Sequence, residues 1–305
     1  MALRGAAAVT LDLPRVVARA RPGATLLRDW RLHGGVSAEV IGLELALPSG
    51  ETERLALRRH GAAKWKLLAP DVTAREFALL QALHREGLPV PAPITLDTTG
   101  EILATPYFVM ELVDGTSDTS GLDRDATLSQ MASFLARLHA LDPASLGLPK
   151  MERREDAGIG ALDLLPPGDR WDPLRERIFT TRLTAVPDAL LHGDFWPGNL
   201  LWRDGSLVAV VDWEDSALGP AASDLACCRA ELNALLDEAA VETFTARYLA
   251  ASGPRRLADL ALWDLYVGAA ALASLHQWGL DPEVERQRRE RTTAFVDRAA
   301  RELLG

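Results

Sequence analysis

No stretch of this 305-residue chain strings together the roughly 18 apolar residues that a membrane helix requires; the longest candidate is the short VGAAALASL run around Gly268. A membrane partner is therefore not expected. Cysteine is nearly absent. Cys227 and Cys228 are adjacent in an apolar, helix-like context, which disfavours a disulfide framework and offers no CxxC metal spacing, so both are expected in the core. A basic balance is also missing: the net charge is −10 and the arginines are scattered, so no face suits a nucleic-acid backbone, while the same sign would suit a cationic substrate. The N-terminus has Arg4 and a small apolar patch, but Asp12 and Pro14 interrupt it, which makes a poor secretory leader, and a cytoplasmic protein is expected. What the chain does have is 48% hydrophobic residues, enough for a large core in one big domain or two lobes, with oligomeric state left open.

Residues 26–59 alternate apolar and polar runs around turn signals at His33-Gly34-Gly35 and Pro48-Ser49-Gly50, the pattern of an antiparallel meander. Gly34 and Gly35 would let backbone amides approach phosphates and Ser37 would add a hydroxyl donor; an ordinary hairpin turn explains the same residues. From Thr73 to Glu86, Phe77, Leu79, Leu80 and Leu83 recur at helical spacing, with Thr73 and Glu76 forming a capping-box sequence. The proline-rich GLPVPAPI leads into a strand, and the run from Tyr107 to Val113 reads as a buried strand ending at the Asp114-Gly115 turn. Beyond it the chain turns helical, with Leu128, Met131, Phe134, Leu135 and Leu138 on one stripe and His139 expected as a core or capping histidine. Residues 149–168 are charged and rich in proline and glycine, as in a loop or mobile cover, and a helix is expected from Asp172 to about Leu183.

The most unusual stretch is LLHGDFWPGNLLWRDGSLVAVVD, Leu190 to Asp212, where two strand-like runs enclose a polar cluster. His192, Asp194 and Asn199 lie in a turn-rich loop, and hairpin pairing of the flanking runs would return Asp212 beside Asn199. Two carboxylates and an amide carbonyl are hard oxygen donors of the kind that suit Mg²⁺, an ion that takes its remaining ligands from water and substrate phosphates. This chemistry points to phosphoryl transfer.

The order Asp194, four residues, Asn199, hairpin, Asp212 resembles the catalytic loop and metal-binding Asp of the protein-kinase-like superfamily. HGDFWPGN followed by VVDWE narrows this to a resemblance to the aminoglycoside phosphotransferase and choline kinase-like family. The resemblance implies an α+β, bilobal fold, with a small β-rich nucleotide-binding lobe over residues 1–113 and a larger, mainly helical lobe over 114–305 carrying the catalytic loop and acceptor pocket. It implies Asp194 as catalytic base, Asn199 and Asp212 as Mg²⁺ ligands, and ATP as donor. Arg58 takes the position of the usual lysine, where its fork would grip phosphate oxygens, with Glu76 as its carboxylate partner. Backbone groups at Glu111 and Val113 would meet the adenine, and Gly35 and Ser37 the phosphates. An exposed strand-end Arg58, a purely capping Glu76 and a plain core strand through Glu111 are the bland alternatives. His192 is expected to support the loop, and Asp224 to cap the next helix and brace that loop.

Only WEDSALGPAAS separates Asp212 from Asp224, too short for the long activation segment with which protein kinases hold a peptide, so a small-molecule hydroxyl acceptor is expected. Helices are expected over 225–236, 241–251, 256–278 and 282–304, with Glu214, Asp215, Trp278 and Asp281 as candidate pocket residues for a cationic or sugar-like molecule. The competing reading, motivated by Arg58 in a lysine position and by the reduced glycine loop, is a nucleotide-binding pseudokinase without transfer activity.

Overall fold

In a computed structural model of the protein, the structure describes residues 11–32, 38–60, 71–154, 164, 172–180, 186–252, 257 and 259–305. Two compact units divide the chain, Met1–Val113 and Asp114–Gly305.

The first unit is built on one antiparallel sheet of Thr25–Leu32 (β1), Ala38–Ala46 (β2), Thr52–His60 (β3), Pro93–Asp97 (β4) and Tyr107–Glu111 (β5), in the order β1-β2-β3-β5-β4. Strands β2 and β3 join through the Pro48-Ser49-Gly50 turn, closed by the Leu47 amide donating to the Glu51 carbonyl at 2.8 Å. Period-two alternation gives β3 two different faces. Leu55 and Leu57, with Leu43, Leu45, Tyr107 and Val109, pack against the helix Leu13–Ala20 (α1), whose Leu13, Val16, Val17 and Ala20 form a single buried stripe. Each fully buried residue of this kind stabilises the unit by about 1.5–3 kcal/mol. This helix lies just beyond Asp12, whose side chain caps it by accepting from the Arg15 amide. The other face of β3 carries Ala56, Arg58 and His60, all buried.

Above Phe108, at 5.9 Å between ring centroids, lies Phe77 of the helix Val72–Arg85 (α2). The capping box read from Thr73 and Glu76 does not form. Asp71 holds the cap position, Thr73 is already inside the helix with its hydroxyl buried and unpartnered among the described residues, and the Glu76 carboxylate turns to Arg58 instead. An ionised partner offers Glu76 a stronger hydrogen bond than a backbone amide does.

The second unit is mainly helical: Arg124–Ala140 (α3), Asp172–Thr180 (α4), Ala222–Leu235 (α5), Glu238–Ser252 (α6), Leu260–Ser274 (α7) and Pro282–Leu304 (α8). Two small antiparallel pairs join them, Ala189–Leu191 (β6) with Ala217–Gly219 (β9), and Leu200–Arg203 (β7) with Ser206–Val210 (β8). The core includes Leu174, Ala226, Leu262, Trp263, Leu265 and Val296. Gly268 marks the tightest part of the α7–α8 contact, where an added Cβ would lie 2.6 Å from Val296 Cγ2. The apolar run around it is thus a packed helix of 15 residues, and among the described residues no helix is long and apolar enough to cross a membrane.

A buried ion pair ties α5 to α7. Arg229 donates through Nε and Nη2 to Asp264 at 2.9–3.1 Å, and its Nη1 donates to Thr245 Oγ1 of α6 at 2.6 Å. Removing one partner strands the other charge in the core. Asp264→Ala is expected to cost about 3–5 kcal/mol of unfolding free energy, read as a lower urea midpoint, and the double substitution Arg229→Met, Asp264→Leu is expected to recover most of that loss.

Candidate active site

The β7–β8 hairpin does the gathering. Leu200 pairs with Val210, and the Val211 amide donates to the Asn199 carbonyl at 2.9 Å, so the residue before one strand and the residues after the other are stitched together. Asp212 then takes a left-handed backbone, φ 68°, which is costly for a residue with a side chain and marks a turn held by its surroundings. What holds it is Trp213, fully buried, its indole donating to the Val210 carbonyl at 3.0 Å.

Asn199 donates its side-chain amide to both the backbone carbonyl of Asp194, at 2.8 Å, and the Asp194 carboxylate, at 2.9 Å. With Nδ2 committed, Oδ1 is the atom of Asn199 left to act as a ligand. Asp194 itself is half-buried, and its other carboxylate oxygen accepts a 3.8 Å contact from the Cys227 thiol. Burial, and then the nearby carboxylates, push that thiol well above its usual range, so it stays protonated. The contact was not read from the sequence, although Cys227 follows Asp224 by one helical turn and must share its face.

His192 is fixed in one tautomer. Its Nε2 faces the Val211 carbonyl at 3.0 Å, which can only accept, and its Nδ1 faces the Asp194 amide at 3.2 Å, which can only donate. The ring is therefore neutral with the proton on Nε2, both nitrogens are engaged, and it carries no spare capacity as a base.

Beneath the loop lies Asp224, with no exposed surface. It accepts the amides of His192 at 2.7 Å and Gly193 at 2.9 Å, and faces His139 Nε2 at 3.2 Å. Burial pushes its carboxyl up, but the hydrogen bond and charge of His139 and the Gly193 amide outweigh that and hold it below the usual carboxylate value. His139 in turn meets the Tyr248 hydroxyl at 2.9 Å, so it is a satisfied core histidine. Asp224 braces the loop; it lies inside α5 and its side chain caps no helix.

Around this centre, Asp215 is a weaker acid than usual, through partial loss of water first, with the like charges of Asp194 and Asp212 adding to it and Arg154 opposing. Asp281 caps α8, accepting from the Glu283 amide at 2.9 Å. The donor set suits Mg²⁺, since Asn199 Oδ1 and Asp212 are hard oxygens, and among the described residues no cluster of three or more His, Cys, Asp or Glu competes for a softer metal.

In the first unit, Arg58 Nε lies 3.0 Å from each Glu76 carboxylate oxygen, both side chains being more than nine-tenths buried. The Glu111 amide donates to the Ala92 carbonyl at 2.8 Å, and Val113 is the unit's half-buried last residue. Gly35 and Ser37 lie outside the described residues.

A five-stranded sheet unit with a buried Arg–Glu pair, followed by a helical unit with this loop and hairpin, is the fold of the kinase-like phosphotransferases. The family model of APH, the phosphotransferase enzyme family, matches residues 47–263, and the chain belongs to that family. Among solved structures, it is similar to the GDP and kanamycin complex of an APH(2") enzyme, with TM-score 0.63 and 18% identity over 96% of this chain and 99% of that one. It is also similar to a macrolide 2'-phosphotransferase from Brachybacterium faecium, with TM-score 0.59 and 22% identity over 93% and 96%. Among curated proteins it is 31% identical over 175 residues to acyl-CoA dehydrogenase family member 11 of Rattus norvegicus, a match taking in 50% of this chain and 22% of that relative. The chain thus spans less than a quarter of the length of that relative.

Gly193 has φ 91°, and a Cβ there would sit 1.9 Å from the Asp215 carbonyl oxygen. Gly193→Ala is expected to displace the loop and lower kcat about 10²-fold while the circular dichroism of the helical unit stays unchanged. For Asp224, whose folded value is lowered, the stabilisation is full above the ordinary carboxylate value of about 4 and is lost as pH falls through the lowered one. The gap in unfolding free energy between wild type and Asp224→Asn is expected to shrink over that acidic window and to stay flat above it.

Proposed function

We propose that this protein is an ATP- and Mg²⁺-dependent kinase that moves the γ-phosphoryl group to a hydroxyl of a small molecule. The observation that carries the reading is the Asp194–Asn199 hydrogen bond, with Asp212 returned beside it by the β7–β8 hairpin. Asp194 orients the acceptor hydroxyl and takes its proton as the new bond to phosphorus forms, while its second oxygen faces the Cys227 thiol. Asn199 and Asp212 hold Mg²⁺, which when bound neutralises charge on the phosphates. Residues 1–113 supply the nucleotide contacts: Arg58 on the phosphates, oriented by Glu76; Gly35 and Ser37 over them; and the Glu111 carbonyl and Val113 amide on the base. Residues 114–305 supply the base, the metal ligands and the acceptor contacts. A cytoplasmic setting follows from ATP as donor.

Two kinds of acceptor are supported. The fold likeness to antibiotic kinases favours aminoglycoside-like compounds, amino alcohols or sugars. The relatives named for acyl-CoA dehydrogenases favour a hydroxyl-bearing acyl thioester, because a kinase segment within such a protein would act on a related substrate.

Labelled-phosphate transfer from ATP to a panel of these compounds tests the reading. Asp194→Ala is expected to reduce turnover by about 10²–10⁴-fold with the KM for ATP little changed; undiminished turnover sinks the assignment. Arg58→Met with Glu76→Leu removes the buried pair together, so the protein is expected to fold yet to need far more ATP. A pseudokinase would instead be stabilised by ATP and Mg²⁺ against heat and show no transfer to any compound.

A further inference from the structure

Arg154 closes a short extended stretch laid alongside β9. Its amide donates to the Leu218 carbonyl at 2.8 Å, and the Leu218 amide donates to the Glu152 carbonyl at 2.9 Å. Arg153 fastens the same stretch to Asp188, the residue before β6, at 3.0 Å. Gly219 permits so close an approach, because a Cβ there would lie 2.9 Å from the Arg154 carbonyl oxygen and 3.3 Å from the Arg154 Cβ. The backbone of Arg154 is thus fixed independently of its side chain.

That side chain reaches across to the loop of Asp194. Its Nη2 donates to the Asp215 carbonyl at 3.4 Å and would lie 2.9 Å from a Cβ on Gly193. The Asp215 carbonyl oxygen is also the atom that a Gly193 Cβ would strike, so one carbonyl is held between the residue before Asp194 and a guanidinium. Asp215 belongs to the tight turn in which the Ser216 amide donates to the Trp213 carbonyl at 3.2 Å, directly after the left-handed Asp212. A strained backbone persists only where its surroundings over-determine it. The Trp213 indole ties this turn back to β8, and Arg154 ties it to the loop. Charge adds to the tie. Loss of water makes Asp215 a weaker acid, Arg154 opposes that, and the charges of Asp194 and Asp212 add to it. Gathered carboxylates repel one another, and a cation beside them offsets part of that repulsion.

We infer that Arg154 is a positioning residue, a cationic strut that pins the Asp215 carbonyl over Gly193 and offsets the mutual repulsion of Asp194, Asp212 and Asp215, so that the centre is gathered before metal or nucleotide arrives. The inference rests on the phosphotransferase reading above and adds to it a residue that assembles the site without touching what reacts. Arg154 acts through the turn, so its loss lowers kcat and leaves the KM for ATP little changed.

The test uses the full chain in EDTA, with thermal midpoints measured at low and high salt for wild type, Arg154→Met, Arg154→Lys, Asp215→Asn and the double variant Arg154→Met, Asp215→Asn. Arg154→Met is expected to lower the midpoint by about 2–4 °C, by less at high salt, and by less again when Asp215 is already Asn. Arg154→Lys, which keeps the charge, is expected to lose less than Arg154→Met. An unchanged midpoint, or a loss that is the same at both salt concentrations and in both backgrounds, overturns the inference. Rates with the acceptor that wild type phosphorylates give the second readout: kcat is expected to fall on the order of tenfold in Arg154→Met and to recover partly in Arg154→Lys, with the KM for ATP little changed. A raised KM for ATP at unchanged kcat puts Arg154 on the phosphates instead, and overturns the inference while leaving the kinase reading intact. A salt-sensitive, Asp215-dependent midpoint with no transfer to any compound does the reverse.

Discussion

Asp224 lies out of contact with water beneath the His192 and Gly193 amides, and the cost of burying its charge is what holds the loop in one shape. An isolated carboxylate in such a place loses several kcal/mol of hydration. Hydrogen bonds to a charged group each return about 1.5–3 kcal/mol, and Asp224 has two amides and His139 within reach. The balance is favourable only while all three are in place, so any displacement of the His192–Gly193 peptide exposes the deficit. His192 passes the same constraint forward, because its ring is committed to the Val211 carbonyl and the Asp194 amide and so couples the braced end of the loop to the turn that carries Asp212. Asp194 is thereby fixed from below by buried groups outside the loop's exposed face, the kind of positioning that chemistry within tenths of an ångström requires.

Arg58 and Glu76 follow the same logic in the first unit with opposite energetics. Buried ion pairs contribute little to stability relative to apolar residues of the same size, because desolvation offsets most of the attraction. Their retention on the buried face of β3, beside Ala56 and His60, is poorly explained by packing and better explained by a need for a cation of fixed orientation. Arginine in place of lysine is consistent with that need: its delocalised, weakly hydrated fork tolerates burial better than an ammonium does.

Much of this was legible in the chain because it is local. The meander from Leu26, the helices 124–140 and 282–304, and the return of Asp212 to Asn199 follow from periodicity and turn residues that act over a few positions. The pairing of Arg58 with Glu76 came only through likeness to kinases, since nothing in eighteen residues of separation demands it. Where local rules competed with a distant charge, they lost: Thr73 and Glu76 spell a capping box, and the buried guanidinium took the carboxylate. The short strand β9 and the Arg229–Asp264 and Arg288–Glu231 pairs left no trace in the sequence, because each exists only once helices or strands far apart in the chain have packed.

That division has a physical reason. Phosphoryl transfer makes the same demands whatever receives the phosphate: a carboxylate for the hydroxyl, hard oxygens for the metal and a cation for the phosphates. Residues suited to the first two lie within one loop and one hairpin, where a compact sequence pattern records them. Recognition of the acceptor must vary between relatives without disturbing that geometry, so it falls to side chains outside the loop. Likeness in fold to antibiotic kinases therefore speaks to the scaffold and leaves the acceptor to residues outside the loop.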